Sequence, residues 1–169
     1  FEYIMQKKFV YDMMDILYFL QEDEEKFRCR LESMVEMTGN LYYLPPVFSY
    51  PDMEEIDEKT WQAFLRKIIR ETDYEVIILD LTEQVRGLFS LLELCDEIYS
   101  CIPKDGLAMA KMEQYKKLLS HIKKEDLLSK TKECKIPVFK EFSYQAALYT
   151  HTELADYVQK LMEKEEEDE

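Results

Sequence analysis

Apolar residues recur along most of the chain with helical spacing, and a few short runs interrupt that rhythm with the signature of strands. Phe9, Met13, Ile16, Leu17 and Leu20 fall on one face and predict a helix over Lys8 to Leu20. The acidic stretch Gln21 to Glu25 breaks the pattern. A second helix follows through Phe27, Leu31, Met34 and Val35 and is ended by Gly39-Asn40. Leu41 to Leu44 predicts a short strand, stopped by Pro45-Pro46 because proline can neither continue a helix nor donate into a ladder. Val47 to Asp57 reads as a loop. Trp61, Phe64, Leu65, Ile68 and Ile69 then give the clearest helical stripe, with Trp61 expected as a core anchor.

The stretch from Tyr74 to Gln84 differs from its surroundings. Val76 to Leu79 are four consecutive apolar residues, three of them β-branched, which suits a strand buried on both faces of a parallel sheet. Asp80 would sit at that strand's C-terminal end. In open α/β sheets that edge binds ligands, so Asp80 is a candidate for positioning a metal or a water; the plainer reading is that it starts a turn.

Val85, Leu88, Phe89 and Leu92 predict the next helix, with Thr82 as N-cap and Glu83 in its first turn. Glu97 to Ile102 predicts a strand ended by Pro103. Lys104-Asp105-Gly106 is a turn that opens a long helix facing inward through Ala108, Met112, Tyr115, Leu119 and Ile122. A short helix is expected around Leu127 and Leu128, and an edge strand over Ile136 to Phe139 because of Pro137. Leu154, Tyr157, Val158, Leu161 and Met162 define a terminal helix, with Thr150 and Glu153 spaced as a capping box.

From Leu41 onward strands and helices alternate, which predicts an α/β fold: a doubly wound, mostly parallel sheet flanked by helices. No internal repeat or linker divides it, so residues 1–163 are expected to form a single α/β domain and 164–169 an acidic tail. The chain opens on Phe1 rather than Met, and the expectation is that it was cut from something longer.

Charge narrows the partners. Asp and Glu number 36 against 22 Lys and Arg, a formal charge of −14, and no basic stripe offsets it. Such a field repels nucleic acid and anionic lipid, which favours a protein partner. No apolar run approaches the roughly 20 residues needed to cross a bilayer, so a cytoplasmic location is expected. Cys29, Cys95, Cys101 and Cys134 are scattered without metal-ligand spacing and are expected as buried free thiols.

Catalytic patterns are sparse. Backbone amides cradle phosphate where glycine leaves room, yet Gly39, Gly87 and Gly106 belong to no phosphate-loop pattern. His121 and His151 lie in no zinc or triad motif, and Ser90, Ser100 and Ser143 lack a nucleophile elbow.

The order of segments resembles the MinD/ParA class of P-loop ATPases, especially its TadZ-like members, over Leu41 to about Ile122. Leu41-Tyr-Tyr-Leu-Pro-Pro46 is similar to a strand-to-loop segment of that class. Asp73-Tyr-Glu-Val-Ile-Ile-Leu-Asp80 looks like its Walker B strand. Leu91 to Pro103, followed by Met109-Ala-Lys111, resembles its run of helix, acidic pair, strand, proline turn and helix. The resemblance implies ATP and Mg²⁺ at the sheet edge, with Asp80 holding magnesium through water. It places a base-side loop at Phe139, Lys140, Glu141 and Phe142, and a homodimer-facing edge near Lys104, Asp105 and Gly106. Its implied role is a polar localisation or assembly switch for pilus or secretion machinery. The Walker A segment would precede Phe1, and without it this chain is not expected to hydrolyse ATP. The other reading is a non-catalytic protein-interaction module that keeps the fold without a working nucleotide site.

Overall fold

A computed structural model of the chain describes residues 2–136 and 152–166, which fall into two compact units. Residues 2–49 and 152–166 belong to the first and residues 50–136 to the second.

The first unit begins with helices α1 (Glu2–Met5), α2 (Met13–Tyr18) and α3 (Glu24–Met34). Helix α2 is shorter than its apolar pattern because Asp12 starts it: Oδ1 accepts from Met14 N at 2.7 Å, and Asp15 Oδ2 accepts from Asp12 N at 2.8 Å. The same Asp12 reaches through Oδ2 to Phe48 N at 3.1 Å, which ties the loop after Pro45 to the helix start. Phe27, Leu31 and Met34 recur at helical spacing on α3 and are buried, as is Ile16 of α2. Arg30 lies 4.9 Å over the ring of Phe19.

Gly39-Asn40, expected to end a helix through Val35, instead turns a hairpin. Strand β1 (Glu36–Thr38) pairs antiparallel with β2 (Leu41–Tyr43), Thr38 standing opposite Leu41. Gly39 takes φ +58°, which a two-residue hairpin turn favours, and α3 has already stopped at Met34.

The second unit opens with α4 (Tyr50–Glu55), a short helix within the stretch expected as loop, and α5 (Glu58–Glu71). Helix α5 carries the strong apolar stripe, with Trp61, Phe64, Leu65 and Ile68 buried. Asp57 caps it, Oδ1 accepting from Thr60 N at 2.7 Å. Helix α6 (Leu88–Leu94) follows, entered through Gly87 rather than Thr82. Thr82 starts an earlier turn, its carbonyl accepting from Val85 N at 3.3 Å. Gly87 has φ +75°, and a Cβ there would lie 2.7 Å from Glu58 Cβ. Only glycine meets both demands.

Strand β3 (Ile98–Pro103), helices α7 (Gly106–His121) and α8 (Asp126–Ser129), and strand β4 (Thr131–Ile136) form one βαβ unit. The strands pair in parallel from Ile98 opposite Thr131 to Pro103 opposite Ile136. Strand β4 reaches Ile136, the first residue of the expected edge strand, and residues 137–139 lie outside the described ones. Ile102, Met112, Leu119, Leu127 and Cys134 are buried, one or more from each element of this unit. The second unit closes there, and the first is completed by α9 (Glu153–Glu166), whose start is capped by Thr152 Oγ1 accepting from Ala155 N at 3.4 Å. Thr150 of the expected capping box lies outside the described residues.

The expected central strand over Val76 to Leu79 is not formed. Among the described residues no ladder includes it, and neither β3 nor β4 pairs with it. The parallel sheet among the described residues is the β3–β4 pair alone.

Two substitutions test this packing. Leu119→Ala removes a side chain that is fully buried on α7 and should cost about 2–5 kcal/mol in urea unfolding. Gly87→Ala should cost at least about 1 kcal/mol, since it combines an unfavourable positive φ with overlap at Glu58.

Candidate functional site

Asp80 stands exposed after the apolar run, and its carboxylate accepts no hydrogen bond and joins no ion pair among the described residues. Exposure alternates along the segment: Val76, Ile78 and Asp80 are exposed, while Ile77, Leu79 and Leu81 are half-buried. A period of two places Asp80 on the same outward face as the two aliphatic side chains. Val76 is 73% and Ile78 79% exposed, values far from those of a strand covered on both sides.

The backbone of this segment is also unpaired. From Glu75 to Leu81 no amide or carbonyl takes part in a hydrogen bond with the other described residues. Seven consecutive residues therefore have no main-chain partner among the described residues, as at an open sheet edge.

Phosphate has no evident seat here. Four helix N-termini are closed by the chain's own carboxylates, Asp12 on α2, Asp23 on α3, Asp57 on α5 and Asp105 on α7, while α6 begins at Gly87 with no side-chain cap. Asp105 Oδ1 accepts from Ala108 N at 2.7 Å, so the expected dimer-facing turn Lys104-Asp105-Gly106 contains a helix cap. At Asp57 the hydrogen bonds from the Thr60 side chain and backbone hold the carboxyl below its ordinary range. Among the described residues no group of three His, Cys, Asp or Glu is placed to hold a metal ion. Phe139, Lys140, Glu141 and Phe142 lie outside the described residues.

Beyond Gln84 the surface dips into an open depression of about 480 Å³ lined by Glu58, Glu83, Val85, Gly87, Leu88 and Ser90, among others. Ser90 Oγ donates to Glu58 Oε1 at 2.5 Å, and no imidazole or thiol lines the depression. Lys124 lines the same depression, but its Nζ is paired with Glu93 while Ser90 is held on Glu58, so the two are not set up as a base and its nucleophile. The four cysteines are free thiols, but only Cys134 is buried; Cys29 and Cys101 are exposed, against the expectation of buried thiols. Burial pushes the Cys95 thiol up, with Lys130 opposing, so it is a poor thiolate nucleophile.

Electrostatic ties in the βαβ unit are structural. Lys116 Nζ lies 2.7 Å from Glu133 and 2.9 Å from Glu113, joining α7 to β4. The hydrogen bond from Lys116 holds the Glu133 carboxyl below its ordinary range, and the same bond raises Lys116.

No protein-family model, curated protein or solved structure matches the chain. Among the described residues no helix is long and apolar enough to cross a membrane.

The outward face of Val76 and Ile78 escaped the sequence pattern, because an unbroken apolar run reads as buried. Of the capping acids, Asp57 and Asp105 stand in an expected loop and turn just before a helix, whereas Asp12 falls within the helix expected over Lys8 to Leu20. The Glu133 tie predicts a pH effect. Since its folded-state pKa is lowered, its stabilisation is complete above the unfolded value of about 4.3 and lost as pH falls through the folded one. Glu133→Gln should lower the urea midpoint at neutral pH, and the two midpoints should converge in strong acid.

Proposed function

We propose that the chain serves as a protein-interaction module that keeps α/β elements without a working nucleotide site. The observation that supports this best is the Glu75–Leu81 segment, which joins exposed aliphatic side chains to an unpaired backbone. Exposed apolar surface of this kind is costly in water and marks contact sites. The acidic caps on α2, α3, α5 and α7 agree with it, since they disfavour polyphosphate at the helix ends.

A second reading has its own support. The parallel β3–α7–α8–β4 crossover and an acid closing an apolar run are compatible with the C-terminal part of a TadZ-like, MinD/ParA-class ATP-binding protein. In that reading a Gly-rich loop upstream of Phe1 supplies the phosphate contacts, and a homodimer acts as the switch for a pilus or secretion assembly.

Titration calorimetry of the full parent protein with ATP and Mg²⁺ separates the two. The interaction module should give no saturable heat up to millimolar nucleotide. Saturable heat that is lost in Asp80→Ala would overturn it in favour of the nucleotide-controlled switch.

A further inference from the structure

We infer that the Glu75–Leu81 segment receives an extended, cationic peptide segment of a partner protein by strand addition. The inference rests on the interaction-module reading and names its partner's chemistry.

Strand addition needs a free main-chain edge, and Glu75 to Leu81 make no main-chain hydrogen bond to the other described residues. It also needs side chains that select at alternate positions. Val76 and Ile78 stand outward two residues apart, so a partner would gain most by presenting aliphatic residues at every second position. Charge decides which partner. Glu75, Asp80 and Glu83 flank the two aliphatic residues in sequence, and no Lys or Arg occurs between Glu75 and Gln84. A second copy of this chain would bring the same three acids together from both sides, and a lysine-flanked segment would neutralise them. The composition of the surface therefore selects a basic peptide over self-pairing.

The probe is a lysine-flanked peptide alternating valine with threonine, compared with a glutamate-flanked peptide of the same core. Fluorescence anisotropy reads binding, and amide hydrogen exchange locates it. The lysine-flanked peptide should bind at least tenfold more tightly than its acidic counterpart and slow exchange at Glu75 to Leu81 at least tenfold. Val76→Lys and Ile78→Lys should each weaken it tenfold or more. Both change exposed positions, and an unaltered circular dichroism spectrum shows that the fold is kept. Leu107→Lys, at a 70% exposed position on α7, should leave binding unchanged. Equal binding of the two peptides, or protection only outside residues 75–81, overturns the inference while leaving the interaction-module reading in place. Protection of the segment that rises with protein concentration alone overturns it in favour of self-pairing. Saturable nucleotide heat removes the underlying reading instead.

Discussion

The second unit depends on how Lys130 joins three pieces of chain. Its Nζ donates to the carbonyls of Glu93 at 3.1 Å and Cys95 at 2.8 Å, satisfying groups at the C-terminal end of α6. Its own carbonyl accepts from Ile98 N at 2.8 Å, next to the first paired residue of β3. One residue thus closes a helix and starts the parallel ladder. From there the pairing of Ile98 with Thr131 follows, and a slip of one residue would turn Ile102 and Cys134 away from the core they share with α7. Lys132 on Glu97 at 2.9 Å and Lys116 on Glu133 at 2.7 Å reinforce the register from the surface, where such pairs contribute little individually.

Acids serve this chain mainly as local structural groups. Four aspartates satisfy amides at helix starts, and Asp12 also holds the backbone at Phe48. A carboxylate at a helix N-terminus is stabilised by the aligned peptide dipoles, and by occupying that position it leaves an incoming anion both crowded and repelled. The same residues that make the helices begin therefore shape what the surface will bind. An acidic protein with closed helix ends is better matched to cationic or apolar groups than to phosphates.

The Glu75–Leu81 stretch stands apart by combining two features. Exposed apolar side chains such as Val10, Phe48 and Leu107 occur elsewhere too; here Val76 and Ile78 face outward along seven residues that have no main-chain hydrogen bond to the other described residues. Water satisfies such amides, but it gains nothing from the aliphatic side chains beside them. A strand from another molecule satisfies both. Asp80 shares that face, which makes it an acid at the margin of an apolar contact surface as readily as a ligand at a sheet edge.

Helices were the most legible feature of the sequence. The stripe Trp61, Phe64, Leu65, Ile68 is buried on α5, the short helix at Leu127 is present, and the strand beginning near Glu97 ends at Pro103 as its composition requires. The two helices rest on spacing within a few residues and the end of β3 on Pro103 itself, so each was written locally. The Gly39-Asn40 hairpin and the position of β4 were not, because a turn and a helix stop use the same residues until a pairing strand distinguishes them. The candidate site divides the same way. Sequence by itself determined that an unusually apolar run ends in Asp80 amid acids. Only tertiary structure decided that the run lacks a ladder and turns Val76, Ile78 and Asp80 outward together, since burial of a strand is a property of its neighbours and no residue encodes it alone.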